Sequence, residues 1–146
     1  MSAVSDLYQS IILEHSKQPR HYGALQQPTH TAEGYNPLCG DHVEVFLQLQ
    51  GQRIESLSFK AAACAITTAS ASMMASELQG KSLQDAQQCF EDLQARIAEE
   101  ASDGAAAAGT DPLAALAEVR KFPGRIACAT LPWQTLIKAF DSEISN

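Results

Sequence analysis

A change of rhythm at Cys64 constrains this chain more than any other feature. Before it, "VEVFLQLQ" sets Val43, Val45, Leu47 and Leu49 against Glu44, Phe46, Gln48 and Gln50. That is the two-residue period of a half-buried strand. Gly51-Gln52 supplies a turn, and "RIESLSFKA" reads as the returning strand of a hairpin. From Cys64 the spacing becomes helical. "CAITTASASMMASELQG" predicts a helix stopping at Gly80. "SLQDAQQCFEDLQARIAEE" predicts another, with Ser82 and Asp85 as a capping box and Leu83, Ala86, Phe90, Leu93 and Ile97 as its apolar stripe. Strands early and helices late define an α+β fold rather than a wound parallel sheet.

The flanks fit one domain spanning residues 1–146. "DLYQSIILEHS" predicts a helix over 6–16, capped by Ser5 or Asp6 and ended by Pro19 and Gly23. Residues 20–42 read as loop with one short strand at most. "ASDGAAAAGT" is a low-complexity surface linker or inserted loop. "DPLAALAEVRKF" should be helical, with Asp111 as cap and Pro112 at the first position. "PGRIACATLPWQTLIKAFDSEI" predicts a closing helix, bent at Pro132. A chain of 146 residues buries roughly two-thirds of its unfolded surface and needs no covalent staple.

Charge and patterning exclude several classes. The formal net charge of −7 argues against a nucleic-acid binder, which normally presents a basic face. No run of apolar residues is long enough for a transmembrane helix, so no membrane partner is expected. "MSAVSDLYQS" has no basic segment followed by an apolar core, so a secretory signal is not expected. The expected location is cytoplasmic, where the four cysteines stay reduced and serve as ligands or nucleophiles more readily than as disulfides.

"NPLCGDH" at residues 36–42 holds a thiol and a carboxylate two positions apart. In an extended segment Cys39 and Asp41 point the same way. Cys39 precedes the first strong strand, Cys64 lies between the second strand and a helix, and Cys128 stands near the start of the last helix. Such junctions can converge at one end of a small α+β domain. Three thiolates and a carboxylate would fill a tetrahedral zinc shell or hold an iron–sulfur cluster. A helix N-terminus at Cys64 would favour the thiolate. Spacing alone does not require this, because free cysteines are also common as inert core residues.

Four blocks settle the direction. "LYQSIILEHSKQPRHYG", "YNPLCGDHVEV", "CAITTASASMMASELQGKS" and "VRKFPGRIACATLPWQTL", in that order, resemble the U-type iron–sulfur cluster assembly proteins over most of the chain. The IscU-type branch carries a histidine directly before its last cysteine, where this chain has Ala127. The SufU-type branch lacks that histidine and has an insertion before the last cysteine block, matched here around residues 98–118. The chain is therefore more similar to the SufU type. That resemblance implies a small antiparallel sheet of about three strands packed against helices. It implies zinc held by Cys39, Asp41, Cys64 and Cys128, with Arg125 nearby, and Cys39 as acceptor of persulfide sulfur from a SufS-like cysteine desulfurase within the iron–sulfur assembly machinery. The family usually has glycine before its second ligand, whereas here "KAAAC" places Ala61, Ala62 and Ala63, which resist positive φ.

Two other readings use the same pocket. One is a scaffold on which a [2Fe–2S] cluster is assembled and handed to apo-proteins. The other is a structural zinc site on an interaction domain, against which an aspartate ligand counts. Cys89, beside Phe90 and Leu93, reads as a core-edge cysteine. His42 should face away from Asp41. His15, His21 and His30 read as surface or loop residues, Trp133 as a core anchor, and Met73-Met74 as packing.

Overall fold

The computed structural model describes residues 3–37, 40–98 and 116–141. In chain order these form α1 (Ala3–Lys17), β1 (His30–Asn36), β2 (Asp41–Gln50), β3 (Arg53–Ala62), α2 (Ala65–Leu78), α3 (Leu83–Ala98), a 3-10 turn (Ala117–Lys121) and α4 (Pro123–Ala139). The strands make one antiparallel meander, β1-β2-β3. This is the expected α+β architecture.

The alternation in β2 sets the inner face of the sheet. Val43, Val45 and Leu47 are fully buried and pair across the ladder with Ala61, Phe59 and Leu57 of β3. Gly51 takes φ +64°, which closes the tight β2–β3 turn at a conformation glycine adopts without strain. On the other flank, Gly34, Ala32 and Asn36 of β1 stand opposite Val43, Val45 and Asp41. Gly34 has a packing reason. A Cβ there would lie 1.9 Å from Thr135 Oγ1 and 3.1 Å from Leu131 Cδ1, so α4 rests against the bare backbone of β1.

Helix α2 is the hub, and its buried hydroxyls fasten it to three neighbours. Ser70 Oγ donates to the Ala129 carbonyl of α4 at 2.5 Å and accepts the Trp133 indole N–H at 3.1 Å. Ser72 Oγ accepts the Arg20 backbone N–H at 2.8 Å and meets His15 Nδ1 of α1 at 2.7 Å. Thr67 Oγ1 donates to Asp41 of β2 at 2.9 Å. Small residues let the helices approach, and each hydroxyl finds a partner on a neighbouring element inside the core, where an unpaired polar group would be costly. Trp133 is fully buried and stacks on Phe90 with ring centroids 6.2 Å apart.

Several expectations need correction. The one strand allowed within residues 20–42 is present as β1 and is longer than the pattern suggested, because only Ala32 and Asn36 of it are buried. An edge strand with so few buried side chains carries no clear alternation. Helix α1 starts at Ala3, ahead of the expected residue 6, so Ser5 and Asp6 fall within its span. His15, expected at the surface, is half-buried through its bond to Ser72. Within the segment read as a helix from Asp111, residues 117–121 form a 3-10 turn, while Asp111 and Pro112 lie outside the described residues. The alanine-rich linker and most of the insertion around 98–118 also lie outside them.

Other readings hold. Ser82 Oγ accepts the Asp85 N–H at 3.0 Å at the start of α3. Gly80, just past the end of α2, takes φ +79°. Helix α4 runs through Pro132. Met73 and Met74 are buried in the core, and Cys89 packs at its edge.

Candidate metal centre

Parity places the first member of the site. Asp41 continues the inward-facing row of Val43, Val45 and Leu47, so its carboxylate enters the interior at the end of β2 and is 1% exposed. The next residue, His42, points to the opposite face as expected. Its Nε2 meets Glu33 Oε1 at 2.9 Å across the β1–β2 ladder.

Beyond β3 the chain reaches the site without special backbone. Ala61 and Ala62 continue the strand, and among the described residues the only non-glycine with positive φ is His21. The alanines therefore need no glycine-like conformation to deliver Cys64. Cys64 is the N-cap of α2 in an extended conformation (φ −69°, ψ 168°), and its side chain makes no capping bond. Asp41 supplies the contact instead. Its Oδ1 accepts the Cys64 backbone N–H at 2.9 Å, and its Oδ2 accepts the Thr67 hydroxyl at 2.9 Å. A carboxylate thus sits at the positive end of the α2 dipole, where negative charge is stabilised.

Cys128 comes from the second turn of α4 and is fully buried. The bonds from Ser70 to Ala129 and Trp133 lock this stretch of α4 against α2. Asp41, Cys64 and Cys128 are the one group of three metal-ligating side chains found among the described residues, with ligand atoms all within 4.8 Å of one another. Cys64 Sγ lies 3.8 Å from Asp41 Oδ2. Ligands on a tetrahedral zinc shell lie roughly 3.5–4 Å apart, so this donor set suits zinc with small side-chain adjustment. Cys39 lies outside the described residues. Cys89 is not part of the group.

Of the three, Cys64 borders a cavity. Cys64, Ala65, Ile66, Phe122 and Arg125 line a cavity of about 310 Å³. The Phe122 ring is 49% exposed at its rim. Arg125, in the first turn of α4, is exposed there, and its backbone N–H donates to the Phe122 carbonyl at 2.7 Å. The expected neighbour arginine therefore borders the same opening as Cys64. Sequence reasoning missed Thr67. The available signal was its place three residues after Cys64 at a helix start, which returns the side chain to the first turn.

A three-stranded meander covered by helices gathers two thiols and a carboxylate where β2, α2 and α4 meet, with Cys64 beside a cavity, in a small α+β domain. Residues 7–129 match the NifU-like N terminal domain family. The chain is 35% identical over 141 residues to the zinc-dependent sulfurtransferase SufU of Bacillus subtilis, covering 94% of this chain and 91% of that protein. It is 33% identical over 139 residues to the iron–sulfur cluster assembly scaffold protein IscU of Streptococcus pyogenes, covering 95% and 86%. Its fold also matches the crystal structure of a scaffold protein assigned to the SUF system of Fervidobacterium islandicum. The TM-score is 0.81 at 27% identity, over 93% of this chain and 98% of that one. The chain belongs to the NifU-like N-terminal family, the U-type proteins of iron–sulfur cluster assembly, and its similarities support a SufU-type member.

Proposed function

We propose that this protein is a zinc-dependent sulfur acceptor, taking sulfane sulfur from the persulfide of a cysteine desulfurase of SufS type. The carrying observation is the convergence of Asp41, Cys64 and Cys128 beside an open cavity, with Ala127 immediately before Cys128. We assign Cys39 as the fourth ligand and the acceptor, and Arg125 as a group beside the site. The reading treats residues 1–146 as one domain carrying an insertion around 98–118, and takes the cytoplasm as its place of action.

Zinc bound by these side chains would keep the thiols ionised at neutral pH, where a free cysteine near pKa 8.5 is only a few per cent thiolate. The step itself belongs to Cys39. Its thiolate attacks the outer sulfur of the donor persulfide, the donor's S–S bond breaks, and the donor cysteine leaves as a thiolate. A new S–S bond forms on Cys39, and no external oxidant or reductant is consumed. Asp41, the hardest donor of the set, suits a site that must let the Cys39 thiolate go.

Similarity at 33% to a protein named as a scaffold supports a second reading, in which iron and sulfide assemble in the same pocket as a [2Fe–2S] cluster. Anaerobic mixing with ferric iron and sulfide, which reaches the diferric cluster without an oxidant, separates the two. A sulfur acceptor retains its zinc and gains no stable visible chromophore. A scaffold exchanges zinc for a cluster with cysteine-to-iron absorption and passes it to an apo-ferredoxin.

A further inference from the structure

We propose that Thr67 is a positioning residue for the metal centre, its hydroxyl rather than its bulk fixing how the Asp41 carboxylate meets the two thiols. The inference rests on Asp41, Cys64 and Cys128 acting as ligands.

Thr67 is fully buried in the first turn of α2. Its Oγ1 donates to Asp41 Oδ2 at 2.9 Å and stands 3.4 Å from Cys64 Sγ. The other carboxylate oxygen is held by the Cys64 backbone N–H at 2.9 Å. One anchor alone would leave Asp41 free to pivot, because the terminal torsion of aspartate is broad and roughly two-fold. Two anchors on two oxygens remove that freedom and fix the carboxylate plane. Each carboxylate oxygen has two acceptor sites, so accepting the Thr67 proton still leaves Oδ2 a lone pair for a cation. The same hydroxyl touches both Asp41 and Cys64, so it sets two prospective ligands relative to each other. Removing such an outer hydrogen bond typically lowers metal affinity by about 10–100-fold.

A plainer role would be that Thr67 only satisfies a buried carboxylate and so supports the fold. Three variants separate these roles. Thr67→Val keeps the volume and loses the hydroxyl. Thr67→Ser and Thr67→Ala both lose the methyl and differ only in the hydroxyl. The readouts are zinc affinity by chelator competition on folded protein, and the absorption spectrum of the cobalt(II)-substituted site, neither of which depends on sulfur transfer. The expected result is a drop in zinc affinity of about 10–100-fold in T67V and T67A, with altered cobalt ligand-field bands. T67S should match the native protein in both. If T67V does not fold, the Ser and Ala pair decides alone. Native affinity and a native cobalt spectrum in T67V or T67A would overturn the proposal, as would a loss in T67S equal to that in T67A. A native protein that takes up neither zinc nor cobalt would overturn the ligand assignment itself. Native protein that binds zinc but accepts no sulfur would instead sink the sulfur-acceptor reading and leave Thr67 standing.

Discussion

Asp41 and Cys64, 23 residues apart in sequence, are joined through the Cys64 backbone N–H, which donates to Asp41 Oδ1 at 2.9 Å. A prospective metal ligand on β2 thereby does the work of a helix cap for the element that carries the next ligand. Site and fold are coupled through this carboxylate. Disturbing it should be felt even where no metal is bound.

In metal-free protein, Asp41→Ala strips the partner from the Cys64 N–H and from the buried Thr67 hydroxyl. The expected cost is about 1–3 kcal/mol of stability. Asp41→Asn keeps an oxygen acceptor and should lose less. Urea unfolding in the presence of a chelator measures both, and a native midpoint for D41A would contradict the coupling.

Ser70 joins α2 to α4 through Ala129 and Trp133. Ser70→Ala leaves the buried indole N–H without this acceptor and should cost about 1–3 kcal/mol. Trp133 is the sole tryptophan, so tryptophan-selective fluorescence reports on the surroundings of this one side chain. The unfolding midpoint should fall, and the emission of the folded variant should shift.

The contact between Gly34 and Thr135 predicts a penalty for any side chain on β1 at that position. With Thr135 Oγ1 1.9 Å and Thr135 Cβ 3.2 Å from an added Cβ, Gly34→Ala must push α4 off the sheet or force Thr135 into another rotamer. Overpacking of this kind costs about 1–3 kcal/mol. A paired Thr135→Ala change should recover part of it in a double-mutant cycle, and purely additive losses would argue that the two positions do not clash.

His15 gives stability a pH dependence. Burial disfavours the charged imidazole and the nearby Arg20 guanidinium repels it, outweighing the opposing pull of Glu14, so its pKa lies below the ordinary 6.5. The unfolded chain therefore takes up a proton at a higher pH than the folded one. The contribution is complete above about pH 6.5 and is lost as pH falls through the folded-state pKa. Chemical denaturation from pH 7.5 down to pH 5 should show stability falling in the native protein, with a shallower fall in His15→Gln. Identical slopes would remove His15 as the cause.

How much of this could be read from residues alone depended on side-chain period. The row Val43, Val45, Leu47 made β2 legible, and the same parity turns Asp41 inward and His42 outward. β1 gave no such signal, because Gly34 is selected by the approach of α4 and not by pairing within the sheet. Cys64 and Cys128 could be placed at element junctions, yet nothing in their spacing stated that those two junctions meet. Hydroxyls were the least legible. Thr67, Ser70 and Ser72 look like ordinary small residues of an alanine-rich helix until their partners, 26, 59 and 57 positions away, are known.

The central claim is that this metal centre serves sulfur acceptance. The most direct test mixes zinc-loaded, iron-free protein with a cysteine desulfurase and L-cysteine, and follows Cys39 by mass spectrometry alongside desulfurase turnover. A persulfide on Cys39, faster turnover with zinc than without, and loss of both in Cys39→Ser are the predicted results. Unmodified Cys39, or zinc that blocks transfer while metal-free protein builds a stable cluster, would contradict the account.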